Sequence, residues 1–257
     1  MVEGRTWCSA HERRAKACMA NKIFFIFLFL FFLNLSSCSN QNISQNNLNN
    51  PDNLKKAVSL NIQLGFNYFN LKHNNLAREK FQKALDLNPN SPSANSAMGY
   101  FLWKVGDLNS AQNFYNKAYL LAPKDPDVLN ARGVFLCETA NHNLNQIQAQ
   151  AQIQEAVSDF LTAAKTPGFL AVGVTYQNAG SCVYQYKNLK NNYLKQAQIY
   201  FQKALLEDNL LPLADLRLAE IYFEQKDLKQ AQIYLNKFND IADPVPESVD
   251  LEKRLKI

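Results

Sequence analysis

Small, aromatic and polar residues recur along the middle of the chain at a constant spacing. The stretch LGFNYFNLKHNNLA begins at Leu64, the stretch MGYFLWKVGDLNSA begins 34 positions later at Met98, and both keep the same order of large, small and polar residues. A period of this length is typical of proteins that repeat one supersecondary unit. The residues that follow the period are Gly65, Gly99 and Gly133, Ala77 and Ala111, Phe81 and Tyr115, Ala84 and Ala118, and Pro89 and Pro123.

Each repeat is predicted to be a pair of antiparallel helices. Glycine or alanine on the first helix and alanine on the second let the two backbones cross closely, and the aromatic side chain fills the space beside them. Proline ends the second helix because it lacks an amide hydrogen and disfavours helical geometry in the preceding residue. One hairpin cannot cover its own apolar face, so the hairpins must stack. The pattern resembles the tetratricopeptide repeat, which implies an all-α, right-handed superhelix.

The first two repeats are assigned to residues 58–91 and 92–125, and the third begins at Pro126. The later markers of the third repeat, Ala156 and Phe160, arrive eleven residues late. Eleven residues are close to three helical turns, so the insertion can lengthen the second helix without rotating its buried face. A protruding, Gln-rich helix over about 144–165 is one prediction, and a flexible loop in the same place is the alternative.

Two more repeats complete the predicted tetratricopeptide domain, which spans 54–245 and holds about five repeats in one continuous superhelix. The fourth repeat is stretched at its internal turn, around 188–192. Residues 246–257 are predicted to be a C-terminal capping helix or tail. The markers of the fourth repeat are Tyr176, Gly180, Ala197, Phe201 and Ala204, and those of the fifth are Ala219, Tyr222, Ala231, Leu235 and Pro244.

The front of the chain carries an apolar run of eleven residues, 23–33. As a helix this run is about 16 Å long, against about 30 Å for a bilayer core, so it is too short to span. With Lys22 before it and small polar residues after it, the run is typical of a secretory signal peptide. The following LSSC, residues 35–38, resembles the lipobox of bacterial lipoproteins, which implies that Cys38 carries the lipid. The alternative is a chance cysteine after an ordinary signal peptide.

The resemblance also sets the expected processing of the chain. Residues 1–18 fit neither a signal nor a domain, and we expect translation to begin at Met19, with 19–37 as the lipoprotein signal peptide. Residues 38–53, which include SNQNISQNNLNNP, are too polar to form a core and are predicted to be a lipidated, disordered tether. Ser39 follows the cysteine, which by analogy with enterobacterial sorting implies a lipid-anchored protein in the outer membrane, with its domain in the periplasm.

Charge and residue content argue against several function classes. The net charge is +5, but five of the 27 Lys and Arg and two of the 22 Asp and Glu precede Cys38, which leaves about +2 on the remainder and no basic surface typical of nucleic-acid binding. The histidines His11, His73 and His142 have no metal-ligand spacing, and no GxSxG, phosphate-binding glycine loop or CxxC pair occurs. We therefore predict no enzyme activity, catalytic residue, cofactor, metal or small-molecule substrate.

Cys137 and Cys182 lie on the first helices of neighbouring repeats at almost the same level. An exported protein folds in an oxidising compartment, where such a pair can form a disulfide bond. The alternative is two buried free thiols.

The first helices of tetratricopeptide repeats line a concave groove at the second, fifth, ninth, twelfth and thirteenth repeat positions. In this sequence those positions are mostly apolar and aromatic, with Lys104 as the cation of the row. Aromatic residues dominate interface energetics, so an exposed row of them indicates a bound peptide or helix; helix packing is the alternative. The predicted groove residues are Phe66, Phe69, Tyr100, Trp103, Lys104, Val134, Tyr184, Leu213, Leu216 and Phe223, with Asn130, Gln177, Glu220 and Glu224 between them.

A lipobox, a polar tether and a tetratricopeptide superhelix together resemble the type IV pilus biogenesis lipoproteins, the PilF/PilW family. The stretches LNARGVFLC (129–137), YQNAGSCVY (176–184) and LADLRLAEIYFEQKDLKQAQIYLNKF (213–238) are similar to that family's third, fourth and fifth repeats. The likeness covers about 35–245. It departs at the insertion in repeat three and at a C-terminus that stops where the family often continues.

The resemblance implies a pilotin or pilus-stability factor that binds the secretin PilQ, or other pilus machinery, and helps it reach or assemble in the outer membrane. The alternative is a general envelope scaffold lipoprotein that serves outer-membrane protein assembly or adapts cell-wall hydrolases.

Overall fold

The computed structural model describes residues 50–141, 145–190 and 192–256. The predicted upstream extension, signal peptide, lipidation site at Cys38 and tether up to residue 49 lie outside these residues. Within the described ranges every regular element is a helix, and none of those helices is long and apolar enough to cross a bilayer.

Eleven helices form five antiparallel pairs and one final helix within the described residues. We refer to the first helix of each pair as A and to the second as B. Each B helix also packs against the A helix of the next pair, which produces the predicted stack. The helices are α1 (Pro51–Asn70), α2 (Asn74–Leu87), α3 (Pro92–Lys104), α4 (Leu108–Leu121), α5 (Pro126–Thr139), α6 (Gln146–Ala164), α7 (Val172–Gln185), α8 (Tyr193–Glu207), α9 (Pro212–Glu224), α10 (Leu228–Ile241) and α11 (Pro246–Leu255).

The start of α1 corrects one predicted boundary. Residues Pro51–Asn53 were assigned to the tether, but they form the first turn of α1. Proline is favourable at the first helical position because an amide hydrogen there would have no partner within the helix. The carboxylate of Asp52 is favourable near the helix N-terminus because it interacts with the positive end of the helix dipole.

Glycine on the A helix meets an aromatic ring on the B helix in repeats one to four. A Cβ atom added at Gly65 would lie 2.5 Å from Cε1 of Phe81, and one added at Gly180 would lie 2.9 Å from the ring of Phe201. The same relation joins Gly99 to Tyr115 and Gly133 to Phe160. These distances confirm the predicted reason for the period, since a larger residue on the A helix would force the ring or the helix away.

The insertion in repeat three forms a helix, as predicted, and α6 ends within one residue of the predicted boundary. Its N-terminus carries a capping box, in which Asn145 and Gln148 exchange side-chain and backbone hydrogen bonds. The predicted protrusion is wrong, because Ala149 and Ile153 in the first half of α6 are buried.

Two glutamines show what the first half of α6 packs against. Gln152 Nε2 donates to the carbonyl oxygen of Leu136 at 2.7 Å, and Gln150 Nε2 donates to the carbonyl oxygen of Leu189 at 2.8 Å. Leu189 belongs to the stretched turn between α7 and α8, so the insertion in repeat three and the stretched turn in repeat four support each other.

Cys137 and Cys182 form a disulfide bond with their Cα atoms 5.7 Å apart. The bond joins α5 to α7 and so links the A helices of repeats three and four. Both cysteines are buried, and the hydroxyl of Tyr186 donates to the carbonyl oxygen of Cys137 at 3.0 Å beside the bond.

Candidate partner-binding groove

The A helices of the first three repeats form an apolar pocket at the N-terminal end of the predicted groove. The pocket has a volume of about 450 Å³ and lies between α1, α3 and α5, with a floor from α4. Most of its lining comes from the groove positions of the first three repeats, since the repeat register fixes which side of each A helix faces inward. We call this site the apolar pocket; its walls include Ile62, Phe66, Ala97, Tyr100, Trp103, Tyr115, Val128, Ala131 and Val134.

A chain of aromatic contacts holds the pocket walls in place. The ring centroid of Tyr100 lies 5.5 Å from that of Phe66 and 6.0 Å from those of Phe69 and Trp103. Trp103 in turn lies edge-on to the buried ring of Phe135 at 6.0 Å. Phe66, Phe69, Tyr100 and Trp103 are all partly exposed, so they pack against the core and still present ring surface to the groove.

Lys104 is exposed and covers one edge of this aromatic surface. Its Nζ atom lies 3.5 Å from the ring centroid of Trp103 and 5.6 Å from that of Tyr100. A cation over an aromatic face is attracted by the ring quadrupole. Lys104 therefore belongs with the four predicted aromatic residues at one site.

Tyr184 lies in a different part of the groove. It lines a second pocket, of about 160 Å³, between α7, α9 and α11. We call this site the acidic pocket; it is lined by Tyr184, Glu220, Phe223, Glu224, Glu247, Asp250, Leu251 and Arg254. The apolar pocket is formed by repeats one to three, whereas Glu220 and Glu224, which were predicted as polar positions of the row, give the groove of repeat five its acidic character.

Tyr184 is surrounded by charged groups. Its hydroxyl donates to Glu224 Oε1 at 3.3 Å and accepts from Lys187 Nζ at 3.3 Å, and Lys187 also forms an ion pair with Glu224. Burial raises the pKa of the Tyr184 hydroxyl, and the carboxylates of Glu220 and Glu224 raise it further. Tyr184 therefore stays protonated and remains a hydrogen-bond donor.

The other predicted groove residues are divided between surface and core. Val134 lines the apolar pocket and Phe223 the acidic pocket, but Leu216 is buried. Leu216 was predicted to face the groove, but it belongs to a buried cluster that includes Leu235 of α10 and Leu251 of α11. Of the remaining positions, Asn130 accepts hydrogen bonds from Thr175 and Asn178, Leu213 is exposed, and Gln177 is partly buried.

Sequence reasoning missed a buried ion pair between α5 and α6, the two helices of repeat three. The guanidinium of Arg132 donates two hydrogen bonds of 2.7 Å to Asp159, contacts Glu155 at 3.0 Å and lies over the ring of Tyr119 at 3.7 Å. Burial raises the pKa of Asp159, and the hydrogen bond from Arg132 opposes that rise. Because the insertion shifts Asp159 out of register, the period gave no sign that it faces Arg132.

Sequence reasoning also missed the contribution of α11 to the acidic pocket. Pro246 follows Pro212 by 34 residues, and both prolines begin a helix. That spacing was the available signal, since it places Glu247, Asp250 and Arg254 at the second, fifth and ninth positions of a further A helix.

The groove contains an apolar pocket at one end and a charged pocket at the other. In the described ranges, no group of three or more His, Cys, Asp and Glu is arranged to hold a metal ion. The carboxylates of the acidic pocket are not arranged in this way either. The apolar pocket offers ring surface for large side chains, and the acidic pocket offers carboxylates next to ring faces.

Comparison with known families agrees with the class of protein that this fold defines. Residues 58–91, 92–125 and 216–243 match models of the tetratricopeptide repeat. The unmatched stretch between them contains the insertion of repeat three and the stretched turn of repeat four. The described part of the chain is all-α and contains tetratricopeptide repeats, and proteins built from such repeats typically act as scaffolds that bind other proteins. No curated protein sequence matches the chain.

Solved structures include proteins of the same fold. PilF of Pseudomonas aeruginosa is 25% identical, with a TM-score of 0.68 over 79% of this chain and 84% of PilF. PilW, a widely conserved type IV pilus biogenesis factor, is 18% identical, with a TM-score of 0.65 over 77% of this chain and 84% of PilW. A tetratricopeptide protein of Thermus thermophilus, TTC0263, is 18% identical, with a TM-score of 0.58 over 78% of this chain and 97% of TTC0263. The last two likenesses concern the fold alone.

Proposed function

We propose that this protein is an outer-membrane lipoprotein that acts as a pilotin or assembly factor in type IV pilus biogenesis and binds the secretin PilQ through its groove. The observation that supports this most is the likeness to PilF of P. aeruginosa over 79% of the chain. The lipobox at 35–38 and the three stretches that resemble the PilF/PilW repeats add to it.

The groove supplies a means of capture. Tyr100 and Trp103 offer ring surface beside a pocket of about 450 Å³, which can admit large apolar side chains of a partner. Tyrosine and tryptophan are enriched among the few central interface residues whose truncation to alanine costs about 2 kcal/mol or more. A lipid on Cys38 and the short polar segment before Pro51 would hold the groove close to the membrane in which a secretin assembles.

The proposal is tested in a deletion strain by measuring secretin multimers in outer-membrane fractions and counting pili. We expect loss of multimers and of pili, and their return when the full-length gene is supplied. Normal multimers together with normal piliation would contradict the proposal. A defect in cell-wall cleavage with normal secretin would instead support the envelope-scaffold alternative.

Two variants separate the groove from the anchor. Trp103→Ala should leave the protein in the outer membrane but reduce secretin multimers severalfold, whereas Cys38→Ser should leave the groove intact but release the protein from the membrane. Leu206→Ala is a matched control, because Leu206 is 85% exposed and lies on a B helix away from the groove. Unchanged multimers with Trp103→Ala would place partner binding elsewhere.

A further inference from the structure

Charged residues are distributed unevenly along the groove. At the second, fifth, ninth, twelfth and thirteenth positions, α1 has no charged residue and α3 has only Lys104. At the same positions from α5 to α11, the described residues include six carboxylates and one guanidinium. They are Asp127, Glu138, Glu220, Glu224, Glu247, Asp250 and Arg254.

Neighbouring cations offset only part of this negative charge. Arg217 pairs with Glu220 at 2.7 Å, and Lys187 pairs with Glu224. Asp127, Glu138 and Glu247 form no ion pair with another described residue. Asp127, although charged, lines the apolar pocket on α5. On α9 and α11 the carboxylates at the groove positions exceed the cations that pair with them by one, and Glu247 is the carboxylate without an ion pair among the described residues.

The acidic pocket already holds cations of its own chain against aromatic faces. Lys187 Nζ lies 4.4 Å from the ring centroid of Tyr184, and the guanidinium of Arg254 lies 4.3 Å from that of Phe223. Arg254 also reaches Asp250 at 3.3 Å. A ring face flanked by carboxylates is a favourable environment for a lysine or arginine side chain, and the open space beside Glu247 can accept one more.

The helix stack sets the distance between the two pockets. The apolar pocket centres on α3 and the acidic pocket on α9, with α5 and α7 between them. α3 contacts α5 and α5 contacts α7, whereas α9 packs mainly against α8 and α10. With about 8–10 Å for each helix-to-helix step, we take the two pockets to lie about 30 Å apart. An extended peptide covers that distance in about nine residues.

We propose that the groove binds a polypeptide segment with two chemically different parts: large apolar side chains that enter the apolar pocket, and lysine or arginine side chains about nine residues away that reach the acidic pocket. This inference rests on the proposed function in one respect, namely that the groove holds a polypeptide. It adds the chemistry and the spacing of the bound segment.

Labelled synthetic peptides test the inference with the full chain in detergent, by fluorescence anisotropy at low and high salt. The test peptide carries three large apolar residues at one end and three lysines centred about nine residues away. It is made in two versions, one with the apolar residues at the N-terminus and one with them at the C-terminus. Three matched peptides replace the lysines with glutamine, replace them with glutamate, or move them next to the apolar residues. We expect the spaced lysine peptide to bind about tenfold more tightly than each matched peptide at low salt, with a smaller difference at high salt.

Two charge reversals of the protein identify the site of the effect. Glu247→Lys should weaken binding of the spaced lysine peptide about fivefold and leave the glutamine peptide unchanged. Glu207→Lys makes the same change of charge at an exposed residue at the end of α8, outside the groove, and should change binding less than twofold.

Equal binding of the four peptides, equal effects of the two reversals, or no binding of any peptide would overturn the inference. None of these outcomes bears on secretin assembly, which the deletion strain measures independently. Conversely, normal secretin in the deletion strain would remove the proposed partner and leave the measured peptide preference standing.

Discussion

Single residues in the turn between the A and B helices explain how each hairpin is stabilised. His73, Asp107 and Asp227 occupy the same position, immediately before a B helix, and have nearly equal backbone angles (φ −88°, −84° and −86°; ψ 66°, 76° and 75°). The carboxylates of Asp107 and Asp227 each accept a hydrogen bond of 3.1 Å from the amide three residues later. The side chain of His73 makes no such bond, so α2 lacks the cap that α4 and α10 have.

Replacing His73 with aspartate should therefore stabilise the protein. The backbone is already in the capping geometry, so His73→Asp should raise the free energy of unfolding by about 0.5–1 kcal/mol, measured by urea denaturation. As a control, Asp227→Ala should lower it by about 1 kcal/mol. A destabilising His73→Asp would show that the imidazole, whose ring lies 6.5 Å from that of Tyr68, contributes more than a cap.

Asp215 on α9 is a buried carboxylate, with 2% of its surface exposed, and its Oδ1 atom has no hydrogen-bond partner in the described part of the chain. Burial raises its pKa to about 6, although Lys237 opposes the rise. The folded state therefore binds a proton on Asp215 more readily than the unfolded state, whose pKa is about 4. The contribution of this group to stability is largest below that pKa and is lost as the pH rises through about 6.

We expect Asp215→Asn to remove this pH dependence. Between about pH 4 and pH 7 the free energy of unfolding of the wild type should fall by about 1–3 kcal/mol more than that of the variant. Urea denaturation across this range measures the difference, and other titrating groups, including Asp159, cancel in the comparison. Parallel pH profiles of the two proteins would contradict the raised pKa and show that the ionised carboxylate of Asp215 is stabilised in the folded protein.

At the scale of the helix pair, the contact between a small residue and a ring sets how closely the helices approach. Gly65→Ala should lower the free energy of unfolding by about 1–3 kcal/mol, because its new Cβ would lie 2.5 Å from the buried ring of Phe81. Gly99→Ala is the matched comparison at the same repeat position and should cost less, since the nearest ring atom, in Tyr115, is 3.1 Å away.

A double variant tests whether the ring causes that cost. Combining Gly65→Ala with Phe81→Leu should be at least about 1 kcal/mol less destabilising than the sum of the two single changes, because the smaller side chain relieves the clash. Additive effects would instead attribute the cost of Gly65→Ala to the backbone of α2.

The hairpins were predictable from sequence because the residues that bring two helices together recur every 34 positions. The packing of α6 was not predictable in the same way. The helix itself followed from an insertion of about three turns. Its packing also includes hydrogen bonds from Gln150 and Gln152 to backbone groups of other elements. Gln150 and Gln152 lie in the insertion and have no counterparts in the other repeats, so the period carries no information about these contacts.

At the scale of the whole stack, the disulfide between Cys137 and Cys182 limits how far repeats three and four separate on unfolding. It closes a loop with a sequence separation of 45. Changing both cysteines to alanine should lower the free energy of unfolding by about 2–4 kcal/mol. Dithiothreitol should lower the stability of the wild type by a similar amount and leave the double variant unchanged. Equal sensitivity of both proteins to the reductant would contradict this role.

The sequence by itself determined the repeat, the helix pairs and the inward-facing positions, because the local period fixes which side of each A helix faces its neighbours. It predicted that Phe66, Tyr100 and Trp103 face one groove, and in the structure all three line the apolar pocket. The tertiary structure alone decided which of these positions share a pocket and which are buried, as Leu216 is. Glu247 and Asp250 reach the acidic pocket only because α11 packs over repeat five, and that packing depends on contacts between residues far apart in the chain.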